Sequence, residues 1–165
     1  MIIGSGGAGK STLAKEVGTR LGLPLFHLDK LYWGAGWTEP DKGDWEKLQV
    51  EVCANSEWVI DGNYGGTLDV RLKACDTVIF LDLPRWLCLF RVLMRPLIYR
   101  NTPRPDMAEG CIEKLDFVFL KWIWDYRSER RPAILAKLEE LEDEKNVYVL
   151  DSRRAVKEFA AALTR

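Results

Sequence analysis

The sequence predicts an α/β fold, a three-layer α/β/α sandwich around a five-stranded parallel sheet. Three observations carry that expectation. Short runs of apolar, often β-branched residues recur along the chain, segments with helical spacing separate them, and the first run ends in a glycine-rich turn that opens a helix. At 165 residues the chain makes a single domain with a sizeable core.

The first strand is Met1-Ile2-Ile3, short against the roughly five residues usual for a strand. From Lys10 to Leu21 the stripe Leu13, Val17, Leu21 suits a helix, which Gly22 and Pro24 end. Leu25 to Leu28 is the second strand and delivers Asp29 at its carboxyl end. Gly34 to Gly43 is turn-rich, and Asp44 is expected to cap a helix carrying Trp45, Leu48 and Val52 on one face. Trp58-Val59-Ile60 forms the third strand and leads into Asp61-Gly62-Asn63. Thr77 to Leu81 is the fourth, stopped by Pro84, and Asn146 to Leu150 is the fifth. Between these last two lie a basic helix (Trp86–Arg95), a proline-rich loop and a long helical stretch broken near Pro132. Val156, Phe159, Ala160 and Leu163 mark a closing amphipathic helix.

Charge and composition narrow the function classes. With 24 basic and 25 acidic side chains, the net charge of −1 creates no general attraction to nucleic acid or anionic lipid. DNA binding is therefore expected to be weak or absent, and any anion site must be local. The longest apolar run, Trp86 to Tyr99, is too short to span a bilayer and carries Arg91 and Arg95. Cys53, Cys75, Cys88 and Cys111 form no CxxC pair, no secretory leader is expected ahead of them, and His27 is the lone histidine. Reduced thiols in a soluble cytoplasmic protein with no membrane partner are expected, rather than a zinc site. The sequence gives no signal for oligomeric state.

The segment Gly4-Ser5-Gly6-Gly7-Ala8-Gly9-Lys10-Ser11 has the spacing of a complete phosphate-binding loop, and Thr12 continues it into the helix. Glycines let the backbone wrap phosphate oxygens with no Cβ in the way, and the helix adds its positive dipole end. Lys10 is placed to reach the β- and γ-phosphates, and the Ser11 hydroxyl to ligate Mg²⁺. Binding of ATP or another nucleoside triphosphate with magnesium is the expectation. Asp61, after the third strand, can hold a metal-bound water; the alternative is a turn aspartate capping the next segment.

With these residues in view, the sequence resembles P-loop proteins of the adenylate-kinase-like, nucleoside-monophosphate-kinase type over nearly its whole length. That resemblance implies the strand order 2-3-1-4-5 and a helical lid insertion at about 96–126. Trp58-Val59-Ile60-Asp61-Gly62-Asn63-Tyr64 is similar to the third-strand segment of adenylate kinases, but Asn63-Tyr64 departs from it and lacks the arginine that grips an acceptor phosphate there. The Arg91-x-x-x-Arg95 spacing is similar to the arginine pair at the lid entrance, implying triphosphate contact. More narrowly, four segments resemble the bacterial "topology modulation protein" (FlaR-like) family. They are His27-Leu28-Asp29-Lys30-Leu31-Tyr32-Trp33, Asp61-Gly62-Asn63-Tyr64, Leu81-Asp82-Leu83-Pro84-Arg85-Trp86 and Arg104-Pro105-Asp106-Met107-Ala108-Glu109-Gly110. The name implies a role in DNA topology, whereas the fold implies a small kinase.

Five arginines (Arg85, Arg91, Arg95, Arg100, Arg104) stand between Asp82 and Asp106 with no acid among them, and Arg127, Arg130 and Arg131 form a second group. Guanidinium forks on a mobile lid suit phosphate; two or three of the five are expected to be functional. The segment from Arg95 to Asp116 is expected to be poorly packed until an anion arrives. Asp29 bears on the acceptor. A carboxylate there can take the proton of an attacking alcohol, whereas a monophosphate acceptor needs no base. The alternative is a structural carboxylate paired with Lys30 or His27. Histidine 27, flanked by apolar residues, reads as a packed core side chain. Lys10, Asp29, Arg91 and Arg95 are thus the candidate catalytic residues, acting on a small nucleotide-like or hydroxyl acceptor. The rival is a nucleotide-binding regulator whose lid contacts DNA or a protein.

Overall fold

In a computed structural model, which describes residues 1–100, 102, 104–111 and 115–163, the chain folds around one parallel sheet. Its strands are β1 (Ile2–Gly4), β2 (Leu25–His27), β3 (Val59–Asp61), β4 (Thr77–Leu81) and β5 (Asn146–Leu150). They lie in the order β2-β3-β1-β4-β5, every neighbouring pair parallel. Ile2, Ile3, Ile60, Val78 and Phe80 are almost wholly buried, as befits strands covered on both faces. The expected fold class and strand order are both found.

Helices α1 (Lys10–Leu21), α2 (Leu28–Tyr32), α3 (Lys42–Cys53), α4 (Leu68–Ala74), α5 (Arg85–Ile98), α6 (Phe117–Glu129), α7 (Arg131–Glu139) and α8 (Arg153–Ala162) pack around the sheet. One core cluster joins Leu13, Ala14 and Val17 of α1 to Ile79 and Leu81, with Val92 and Ile123 above them. A second joins Ile3, Val78 and Phe80 to Leu72, Tyr126 and Leu138. The break expected near Pro132 falls at Arg130, with the proline in the first turn of α7 where its missing N–H costs nothing.

Two local expectations are corrected. Leu28 does not extend the second strand; it opens α2, so Asp29 sits on a short helix instead of a strand end. The cap of α3 is Asp41, whose carboxylate accepts from the N–H groups of Gly43 and Asp44. Its extended backbone points the side chain back at those donors, while Asp44 is already helical. Gly4 to Ala8 of the phosphate loop are buried.

The expected lid comprises the end of α5, an irregular stretch and most of α6. Residues 101, 103 and 112–114 of it lie outside the described residues. Arg104, Met107 and Cys111 are buried, so this part is docked and not loosely packed. Gly36 N–H donates to the Gly110 carbonyl and the Cys111 thiol to the Gly34 carbonyl, fastening the segment to the turn after α2. The positive charge of Arg104 faces Asp29 and Asp106, which removes the repulsion that the bare arginine run suggested.

Candidate active site at the carboxyl edge of the sheet

The donor end is built from backbone. β1 feeds directly into the loop, and Gly9 precedes α1 as its N-cap with φ 97° and no capping side chain. The first-turn N–H groups therefore have no side-chain acceptor of their own, which suits an anion. Glycine is required on steric grounds too. A Cβ at Gly7 would lie 2.3 Å from the Cys88 carbonyl oxygen, and one at Gly6 would lie 2.6 Å from the Phe119 ring. Helices α5 and α6 thus press on the outside of the loop.

Arg91 reaches from α5 to the loop itself, donating to the carbonyls of Gly7 (3.2 Å) and Ala8 (3.0 Å). Those bonds turn the loop carbonyls outward and hold the loop to α5. Lys10 folds back to donate to the Ser5 carbonyl at 3.0 Å. Burial lowers its pKa, the charges of Asp29 and Asp61 oppose that fall, and the charge of Arg95 adds to it. Lys10, Asp29, Asp61 and Arg95 therefore share one electrostatic neighbourhood. Ser11 and Thr12 lie in the first turn of α1.

The acceptor end is assembled from side chains. Asp29 accepts a hydrogen bond from the Tyr64 hydroxyl at 2.9 Å, and Arg104 Nη2 lies 3.9 Å from its other oxygen. Among the described residues the hydrogen-bond partner of Asp29 is Tyr64, not Lys30 or His27. Burial raises the Tyr64 pKa, with the Asp29 charge adding to it, so the hydroxyl stays a donor at neutral pH. Arg104 Nε lies 3.6 Å from Asp106 Oδ1, and Asp106 reaches the Ser11 hydroxyl; although burial opposes it, Arg104 and that hydrogen bond hold the Asp106 pKa low. Arg104 and Asp106 thereby connect the acceptor end to the helix that follows the phosphate loop. Tyr32, Trp33, Trp37, Trp45 and Tyr64 form a continuous series of ring contacts beside Asp29.

Asp61 is buried at the end of β3, and His27 Nδ1–H donates to its Oδ1 at 2.6 Å. Burial by itself lowers the His27 pKa, but the hydrogen bond and charge of Asp61, helped by Asp106 and Asp29, raise it overall. His27 is thus packed and also paired with the Asp61 carboxylate. The Ser11 hydroxyl and the carboxylates of Asp61 and Asp106 are all hard oxygen donors, the chemistry magnesium takes, commonly with one or two carboxylates and substrate phosphates. The residues present fit such an ion. The glycine loop, which runs into a helix start with no capping side chain, fits a triphosphate.

The segment 62–64 owes its shape to a residue that sequence reasoning did not single out. Arg71 on α4 is fully buried (0% exposed) and donates to the carbonyls of Gly62 (2.8 Å), Asn63 (2.5 Å) and Tyr64 (3.0 Å). Burial lowers its pKa to about 10, so it remains charged at neutral pH. Tyr64 sits at φ 34°, an uncommon conformation for a non-glycine residue. Asn63 Oδ1 accepts from the Gly4 N–H at 3.0 Å and links the segment to β1. Of the remaining arginines, Arg131 Nε binds both oxygens of Asp82, Arg130 lies over Trp122, and Arg85 lies over Trp124.

Comparison with protein-family models and with curated proteins returns no match. Solved structures do match. A sugar kinase from Janibacter superposes with a TM-score of 0.52 at 20% identity, covering 97% of this chain and 90% of that one. A shikimate kinase from Bacteroides thetaiotaomicron gives 0.54 at 17% identity, over 97% and 92%. A putative kinase from Chloroflexus aurantiacus gives 0.50 at 15% identity, over 98% and 97%. In its fold, the chain groups with small kinases.

Proposed function

We propose that the protein is a magnesium-dependent phosphotransferase that moves the γ-phosphoryl group of ATP to a hydroxyl on a small acceptor. The observation that carries this reading is the setting of Asp29. Its carboxylate is partly exposed, oriented by the Tyr64 hydroxyl, and close enough to Lys10 for its charge to act on the ammonium. A base for an alcohol would then act within electrostatic reach of the cation that would meet the transferred phosphate. The fold shared with a sugar kinase and a shikimate kinase supports a small-molecule acceptor.

In this reading the loop from Gly4 to Thr12 holds the triphosphate. Lys10 and Arg95 stabilise the migrating group, while Arg91 holds the loop that positions it. Ser11 and Asp61, with Asp106 beside Ser11, would hold magnesium, which supplies neutralisation of charge on the β- and γ-phosphate oxygens. Asp29 takes the proton from the acceptor hydroxyl as its oxygen bonds to the γ-phosphorus. The bond from that phosphorus to the bridging oxygen breaks, and ADP leaves. Segment 104–111 covers the site and limits water.

The test is a coupled assay for ADP release against a panel of sugars, cyclic polyols, nucleosides and nucleoside monophosphates, with supercoiled duplex as a separate arm. A hydroxyl acceptor is expected to be turned over. Asp29→Asn should then lower kcat by roughly a hundredfold or more, the usual scale of general-base catalysis, with KM little changed. Unchanged turnover by that variant refutes the base. Turnover of monophosphates alone refutes the hydroxyl acceptor, and stimulation only by duplex would favour the regulator.

A further inference from the structure

The outer face of α5 and α6 carries a concentration of exposed apolar side chains that the proposed phosphotransfer does not use. On α5, Trp86, Phe90, Leu93 and Leu97 recur at positions i, i+4, i+7 and i+11. That spacing lines them up on one stripe, turned away from the buried Cys88 and Val92. They are between 46% and 69% exposed. On α6, Phe117 and Trp124 share a face two turns apart and are 81% and 50% exposed. Helices α5 and α6 pack on each other: Leu89 and Leu120 both join the core cluster beneath them, and the Arg85 guanidinium lies 4.2 Å over the Trp124 ring.

We propose that this two-helix face is a self-association surface on which a second copy of the chain packs about a two-fold axis. The argument is one of area. Taking an aromatic side chain at about 200 Å² and a leucine at slightly less, the six residues leave on the order of 800 Å² of apolar surface in water. The largest apolar patch of a typical monomer is about 300–600 Å². About 800 Å² is what each partner contributes to a standard-size stable interface. An isologous pairing covers both copies with the same residues and leaves none over.

Charge separates this from a lipid surface. An interfacial helix gains attraction to anionic lipid from cations on its water-facing side. On α5, Arg91 is turned inward to the Gly7 and Ala8 carbonyls, and Arg95 acts on Lys10. On α6, Lys121 is paired with Asp125. The Arg85 guanidinium at the edge of the face already lies over the Trp124 ring, so neither it nor Lys121 is left free for lipid headgroups, which suits a protein.

Sedimentation velocity of the full chain over a wide dilution series tests the proposal, with co-sedimentation on mixed neutral and anionic phospholipid vesicles as a second arm. The expected result is a discrete, reversible equilibrium between one chain and two. Phe90→Glu and Leu97→Glu each place like charges within the pairing and should raise the dissociation constant by about a hundredfold or more. Val50→Glu, at an exposed valine on α3, should leave it unchanged. Each variant is checked by circular dichroism and its melting curve. If one fails to fold, the other variant and the wild-type dilution series decide. A chain that stays single at every concentration overturns the proposal. So does a pair indifferent to the charged substitutions, open-ended aggregation, or vesicle binding by single chains. None of these results depends on catalytic activity, so failure here leaves the proposed reaction standing.

Discussion

The donor and acceptor ends of the site are built by different means. The donor end is nine consecutive residues, Gly4 to Thr12, and most of its chemistry lies in backbone N–H groups and one helix terminus. The acceptor end draws on α2, the segment after β3, the buried face of α4 and the stretch before α6. It is held by side-chain contacts such as Tyr64 to Asp29 and Arg71 to three carbonyls. A backbone site must be written as one continuous sequence, because only adjacent residues can form the cradle. A side-chain site can be collected from anywhere the topology brings together.

The largest expected effect is at the donor end. Lys10→Ala should lower turnover by roughly a thousandfold, the upper range for losing one preorganised charge contact, and abolish tight binding of a fluorescent ATP analogue. Its melting temperature should hold, since among the described residues the ammonium makes a single hydrogen bond, to the Ser5 carbonyl. Wild-type affinity would remove the loop from the mechanism.

Next is Arg71→Met, which leaves three buried carbonyls without their donor. A loss of about 3 kcal/mol in unfolding free energy is expected from a denaturant titration. Hydrogen exchange should quicken around 62–64 while the hydrogen-bonded amides of α1 keep their rate. Equal loosening of both would show that the two ends are one cooperative unit, and the contrast drawn here would fall.

The smallest effect is a pH dependence at the junction of the two ends. The folded-state pKa of His27 is raised above its usual 6.5. The stability it contributes is thus fully present below that value and is lost as pH rises through the higher folded value. The melting-temperature advantage of wild type over His27→Gln should be greatest in mild acid and shrink as pH rises past 6.5. An advantage that grows with pH would show that the imidazole is held neutral.

The same contrast explains what the sequence discloses. The strands are legible because parallel strands buried on both faces are plain apolar runs, and the phosphate loop is legible because its chemistry is local. Asp29 is visible as a candidate, but its partner Tyr64 lies 35 residues away and nothing in either segment names the other. His27 alternates with apolar neighbours and hides its bond to Asp61. Arg71 is the hardest to see. Leu68, Arg71, Leu72 and Cys75 follow the spacing of a buried helix face, with all four buried. An arginine in that register is the one available sign, and burial of arginine is rare enough to argue against reading it so. The lid segment misleads for a related reason: its run of positive charge is conspicuous, but the acids that neutralise it come from Asp29 and from its own Asp106.

Arg71 has a consequence for redesign. Three successive carbonyls are gripped from outside their own segment, so the path of residues 62–64 does not depend on which side chain stands at 64, and at 63 the Asn63 amide adds one bond of its own, to the Gly4 N–H. Even Tyr64, at an unfavourable φ, is held there by its carbonyl. The frame and its contents are thereby separable. Side chains at this edge can be exchanged to admit a different molecule while the turn that presents them keeps its shape.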